Sequence, residues 1–282
     1  MKYSALIRKN EKRLESKGLN PYVVKTLLLF LSNKTSTEMF NDIHSECPKE
    51  VEDKFYLLLD EYESKNRPIE YIIGHTYFYG YKIYVNEDVL IPRWETEELA
   101  EHILIYYDRI FKPNKVNVLD LGTGSGAIAI ALKKEEDNMN VYASDVSSEA
   151  VSVASKSAEA NGADITFLTG SWFQAIKDDT KFDIIVSNPP YLMNSEFVED
   201  IVKDNEPHLA LFGGDDGLIF YREILSNARK YLNPDRFIIA FEHGYDKKDE
   251  LNKIIRQYFP EEKIVNLKDS NNLDRMTFII KE

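Results

Sequence analysis

Asp120-Leu121-Gly122-Thr123-Gly124-Ser125-Gly126-Ala127 joins an apolar run at 116–121 to a helix-forming run at 127–134. Strand, glycine turn and helix in that order bring backbone amides to a helix N-terminus. Without side chains, a turn of this kind lets a ligand approach the chain closely. A second strand at 141–144 is closed by Asp145, a carboxylate placed to accept from both hydroxyls of a ribose. The alternation continues through a helix at 147–161 and strands at 165–168, 182–187 and 237–241, with late strands at 263–267 and 275–280. This order predicts an α/β fold, a mainly parallel seven-stranded sheet with helices on both faces. The glycine pattern alone also satisfies Gly-x-Gly-x-x-Ala, so at this point a nicotinamide-dependent dehydrogenase stays open.

Upstream the character changes. Residues 2–17 are polar and charged and stop at Gly18; Asn20-Pro21 restarts a helix, and Pro48 opens another with Val51, Phe55, Leu58, Leu59 and Tyr62 on one face. Residues 1–73 therefore read as a small helical bundle and carry no constellation of chemical groups. Residues 68–74 read as a short linking helix, and the aromatic, β-branched 77–85 around Gly80 as a hairpin, so 74–89 forms a β-hairpin linker. Residues 90–282 then form the α/β domain. Among 282 residues there is one cysteine, Cys47, which excludes an intrachain disulfide framework and a cysteine-rich zinc module. The net charge of −13 lies entirely beyond residue 73, which disfavours a phosphate backbone as partner. No apolar run is long enough to span a bilayer or to form a secretory leader, so the expected location is the cytoplasm, with no membrane partner.

The strand at 182–187 ends in Ser187-Asn188-Pro189-Pro190-Tyr191. Strand ends of this kind face the ligand crevice in an open α/β sheet. Two prolines stiffen the bend and cannot donate amide hydrogens, so carbonyl oxygens are presented. Asn188 adds a side-chain acceptor and Tyr191 an aromatic surface. Such a set suits a planar NH2 group whose lone pair is delocalised. Two acceptors, the Asn188 side chain and the Pro189 carbonyl, can hold its two protons and aim the nitrogen at a methyl donor.

With these motifs in place, the chain resembles the peptide chain release factor glutamine N5-methyltransferases, a family of class I S-adenosylmethionine-dependent enzymes with a Rossmann-like fold. The resemblance runs from about Pro68 to the C-terminus. It is carried by Leu90-Ile91-Pro92-Arg93, by Asp120 to Ala127, by Phe182 to Tyr191, and by Glu206-Pro207 through Gly213-Gly214-Asp215-Asp216-Gly217-Leu218. It implies methyl transfer from S-adenosyl-L-methionine to the side-chain amide of the Gly-Gly-Gln glutamine in release factors. It implies cofactor contacts at Gly122, Thr123, Gly124, Ser125, Gly126, Asp145, Trp172 and Asn188, and a substrate loop of Asn188, Pro189, Pro190 and Tyr191. Of these, Asn188, Pro189 and Tyr191 bear on catalysis. The helical N-terminal region would dock the substrate. Trp94 stands where the family usually has proline, which bears on how the following helix begins. Ser171 stands where the family usually has aspartate, removing an expected acceptor for the adenine amino group.

The same residues admit other readings. A nucleic-acid amino methyltransferase shares the Asn-Pro-Pro-Tyr loop, but it needs room to extrude a base, and only the last strands follow Tyr191. A glutamine of a ribosomal protein is a closer alternative substrate. A silent cofactor-binding subunit has no use for an intact 188–191. No histidine spacing suggests a metal, the paired acids at 215–216 and 95–98 read as helix starts, and Glu242-His243-Gly244 reads as a structural turn.

Overall fold

A computed structural model describes residues 1–282, which divide into two units. The first holds α1 (Tyr3–Glu15), α2 (Tyr22–Ser32), α3 (Ser36–Asn41), α4 (Lys49–Lys65) and α5 (Ile69–Ile73). Proline stands immediately before α2, α4 and α5, where its missing N–H costs nothing. Thr35 and Glu38 form a reciprocal capping box that starts α3. Leu6, Leu14, Val24, Leu27, Leu28 and Phe55 are fully buried at the centre of this unit, with Cys47 packed beside them as a small apolar residue.

The second unit begins with the hairpin β1 (His75–Phe78) and β2 (Tyr81–Tyr84), then α6 (Trp94–Ile110), β3 (Val116–Leu121), α7 (Ala127–Glu135), β4 (Met139–Asp145), α8 (Ser148–Asn161), β5 (Ile165–Thr169) and β6 (Ile184–Ser187). The hairpin is fastened to α8: Ser157 accepts from the Tyr84 amide at 3.0 Å and Asn161 donates to the Lys82 carbonyl at 2.7 Å. It therefore lies inside this unit. The chain next makes an excursion. Helix α9 (Asp200–Asn205) belongs to the first unit, where Ile201 packs on its core and Asn205 donates to the Asn66 carbonyl at 2.9 Å. From Glu206 the chain is back in the second unit and completes it with α10 (Ile219–Tyr231), β7 (Phe237–Glu242), α11 (Lys248–Tyr258), β8 (Lys263–Lys268) and β9 (Asp274–Lys281).

The seven-stranded sheet has the order β5-β4-β3-β6-β7-β9-β8. The first five are parallel, and β9 runs antiparallel between β7 and β8. The expected mainly parallel sheet is thus present, with its reversal confined to β9. β6 and β7 are buried along their whole length, as parallel strands covered on both faces must be. After β3 the chain winds outward through β4 and β5 and then returns to lay β6 against the other side of β3. The direction of winding reverses between those two neighbours, and crevices form there beyond the strand ends.

Candidate active site

Beyond the carboxyl ends of β3, β4 and β6 lies a cavity of about 510 Å³. Its floor is the turn after β3. Gly122 and Thr123 donate to the Ser144 carbonyl at 2.8 and 2.9 Å, and Ser187 donates to the Leu121 carbonyl at 2.6 Å, so the turn is tied to both neighbouring strands. Gly122, Gly124 and Gly126 all have left-handed φ, which side chains disfavour. A Cβ on Gly126 would lie 3.0 Å from the Ala154 Cβ, so this glycine also lets α7 close on α8. Asp145 at the end of β4 accepts from Gly124 N at 2.9 Å and from Ser147 N at 3.0 Å. Each carboxylate oxygen keeps a lone pair, and Asp145 lines the cavity.

A buried carboxyl stands behind this floor. Asp120 is fully buried and accepts from the Thr123 hydroxyl at 2.6 Å, while its Oδ1 lacks a partner. Burial pushes it up to about 7. Trp172, with φ of 47°, donates through its indole to Glu223 at 2.6 Å and lies tilted against Phe220, ring centroids 5.2 Å apart. Gly170, Ser171, Trp172, Phe220 and Glu223 together form one wall. An aromatic plane, a carboxylate and a glycine floor in one cavity fit a nucleoside bearing a short polar tail, as S-adenosylmethionine does.

Of the residues expected in the substrate loop, Asn188 and Pro190 line this same cavity. Pro189 is buried, and Tyr191 turns its hydroxyl toward Glu242 at 3.4 Å. Tyr191 is thus held from behind, and burial together with the Glu242 charge raises its phenol well above the ordinary value. The loop is clamped by 211–217: Leu192 N donates to Leu211 O at 3.0 Å and Gly213 N to Leu192 O at 2.8 Å. A Cβ on Gly213 would meet the Pro190 carbonyl at 2.4 Å, and one on Gly217 the Tyr191 carbonyl at 2.2 Å. Only glycine lets these two strands of loop approach so closely.

Several members of the site have no local signature. Glu206, almost fully buried, accepts from the Ile91 amide at 3.1 Å and from Arg93 at 2.5 Å. That pair joins Ile91-Pro92-Arg93 to Glu206-Pro207, two segments read separately in the sequence. Thr96 and Glu242 are buried beneath Asn188: Asn188 Nδ2 donates to Thr96 Oγ1 at 3.2 Å, and Thr96 Oγ1 to Glu242 Oε2 at 2.7 Å. Burial pushes Glu242 up to about 7, opposed by the Thr96 hydroxyl and Arg275. Glu242 therefore belongs to the site, where the sequence reading had only a turn. His243 beside it is a structural residue, bonded to Gly244 O and the Thr277 hydroxyl and kept neutral by burial. Asp216 is committed to Arg222, and Trp94 opens α6 as an exposed first residue, a position that proline also tolerates.

Comparison with known proteins agrees with this geometry. Residues 104–215 match the family model for the methyltransferase small domain. The chain is 36% identical over 268 residues to the release factor glutamine methyltransferase of Bacillus cereus, covering 94% of each protein. It is 36% identical over 281 residues to the protein of the same name in Streptococcus pneumoniae, covering 99% of this chain and 98% of that one. A methyltransferase structure from Pyrococcus furiosus, 20% identical, superposes on 82% of this chain and 98% of its own with a TM-score of 0.52, which shows a common fold.

Proposed function

The chain belongs to the release factor glutamine methyltransferase family, and from that membership we propose that it methylates the side-chain amide nitrogen of a release factor glutamine at the Asn188–Tyr191 loop. The observation that carries this reading is the meeting, in one cavity, of the glycine turn and Asp145 with Asn188 and Pro190. Gly122 to Gly126, Asp145, Trp172 and Asn188 hold the cofactor. Bound there, S-adenosyl-L-methionine supplies an electrophilic methyl group on a sulfonium.

The chain's own residues have to make a poor nucleophile react. An amide nitrogen shares its lone pair with the carbonyl. The Asn188 Oδ1 and the Pro189 carbonyl accept its two protons, hold the NH2 group off the amide plane and direct the lone pair at the methyl carbon. This is positioning, and positioning of reacting atoms can supply about 7–11 kcal/mol of a barrier. No strong base is required, because the nitrogen becomes acidic as the N–C bond forms, and its proton leaves to water. The rigidity needed comes from the two prolines and from the 211–217 clamp. The partner is a protein, and the acidic surface beyond residue 73 disfavours direct nucleic-acid binding. The helical unit is the part that meets the release factor outside the cavity. No helix is long and apolar enough to cross a membrane. A release factor substrate places the work of this enzyme in the cytoplasm.

The test is incubation with a purified release factor and methyl-labelled cofactor, followed by peptide mass mapping. One methyl on the Gly-Gly-Gln glutamine is expected. Label in ribosomal protein, tRNA, rRNA or DNA instead would reject the substrate. Asn188→Ala should lower turnover by about 1,000-fold, a loss of the size seen when one preorganised transition-state contact is removed. Affinity for S-adenosylhomocysteine should fall far less.

A further inference from the structure

Asn188 is an amide, and an amide has two faces of opposite character. Turned one way it offers the cavity an oxygen acceptor; rotated by half a turn it offers two N–H donors. The substrate group is itself an NH2, so only the first orientation binds it. The reading of Asn188 as a clamp therefore leaves a question of orientation that Asn188 cannot answer alone.

Two buried side chains from two other elements answer it. Thr96, in the first turn of α6, is 5% exposed and Glu242, at the end of β7, is 2% exposed. Glu242 Oε2 accepts the Thr96 hydroxyl at 2.7 Å, and Oε1 accepts the Tyr191 hydroxyl at 3.4 Å. Once ionised, above about pH 7, the Glu242 carboxylate only accepts, and a threonine hydroxyl has one proton to give. With that proton committed to Glu242, the Thr96 oxygen can only accept, and it does so from Asn188 Nδ2 at 3.2 Å. The hydrogen bonds thus run in one direction, from Asn188 through Thr96 to Glu242. The reverse setting of the amide would put the Asn188 oxygen against the Thr96 lone pairs.

Resting on the clamp reading, the geometry points to Thr96 and Glu242 as positioning residues that lock the Asn188 amide with its oxygen toward the reacting nitrogen. An acid suits this post better than its amide counterpart. A glutamine at 242 can present either an oxygen or an NH2 to Thr96, and the second choice reverses the whole line. The cost of burying the acid is offset by Arg275 of β9, which is held in turn by Asp269 at 3.1 Å. The other ionisable groups facing Glu242 are Glu95 of α6, Tyr191, and Tyr221 of α10, whose hydroxyl donates to the Glu242 main-chain oxygen at 2.7 Å.

The experiment is a steady-state series on the full chain with a release factor substrate and methyl-labelled cofactor. Thr96→Val removes the hydroxyl at nearly constant volume. Its kcat is expected to fall about 100-fold, the penalty of a misaligned reacting group. KM for the release factor and the S-adenosylhomocysteine affinity should stay close to wild type, which also shows that the variant is folded. Thr96→Ser should recover most of the loss, and Glu242→Gln should lower kcat in the same selective way. In an Asn188→Ala background, Thr96→Val should cost nothing further, because the group it orients is gone. Wild-type turnover by Thr96→Val, or an undiminished cost in the Asn188→Ala background, overturns the proposal. Wild-type turnover by Asn188→Ala alone overturns the clamp and this inference with it, and that result is read without any change at Thr96.

Discussion

Asp120 and Glu242 are the two carboxyls that this fold holds neutral longest. Both are pushed up to about 7 by burial. Unfolded carboxyls titrate near 4, so each group favours folding fully below about pH 4 and loses that contribution as pH rises through about 7. The slope in that window is up to about 1.4 kcal/mol per pH unit for each group. Asp120→Asn keeps an acceptor for Thr123 and removes one of the two titrations. Thermal melts should therefore show the variant gaining on the wild type as pH climbs from about 5 to about 7, with the gap constant above that. A gap independent of pH would contradict the burial argument.

At the same scale, residues differ in how much of their role shows in the sequence. Gly122 to Ala127 and Asn188 to Tyr191 were legible because each is a local motif whose backbone demands show in consecutive residues. Thr96, Arg93, Glu206, Glu223 and Glu242 were not singled out as a site, because their meaning lies in partners far along the chain. Asn188 and Thr96 are 92 positions apart, Thr96 and Glu242 are 146 apart, and Arg93 and Glu206 are 113 apart. A threonine in a helix start and an acid before a His-Gly pair carry no local mark of that association. Trp94 and Ser171 were visible as departures, but only the structure shows Trp94 exposed at the α6 start and Ser171 sharing a wall with Glu223.

At the scale of elements, the active loop is as stiff as the segment that braces it. Leu192 and Asn194 pair with Leu211, Gly213 and Gly214 through backbone bonds, and Gly217 combines a left-handed φ of 72° with its approach to the Tyr191 carbonyl. Gly217→Ala should displace the loop and lower kcat about 100-fold or more, while the glycine floor still binds S-adenosylhomocysteine. Gly80→Ala is the matched control. It too has positive φ, but open space surrounds its Cβ, so it should cost about 1–2 kcal/mol of stability and leave turnover alone. Equal activity of the two variants would mean that the brace is idle. In the helical unit, Thr35→Ala removes the α3 capping box and should cost about 1 kcal/mol in denaturant unfolding, with kcat unchanged. The sheet order was legible in outline from the alternation of strands and helices. Helix α9 was not, since it is only six residues long, four of them polar, and none is buried beyond an intermediate degree.

On the scale of the whole molecule, the chain passes between its two units three times, at 74/75, 199/200 and 205/206. A chain starting at His75 keeps the cavity residues but strips Ile201 and Asn205 of the surroundings that hold α9. Limited proteolysis should then cut it between about 193 and 206, where the intact protein resists, because local opening follows the loss of packing. Protection equal to the full chain would show that α9 folds without its neighbours.

That threading also limits how the molecule can be recombined. A helical bundle attached at one seam can be traded between relatives as a cassette, by splicing once. Here a faithful exchange must move two separate stretches, 1–74 and 200–205, and the shorter one is inserted between the reacting loop and the Glu206 that grips Arg93. A hybrid that swaps only the front end inherits a mismatched staple a few residues from its own chemistry.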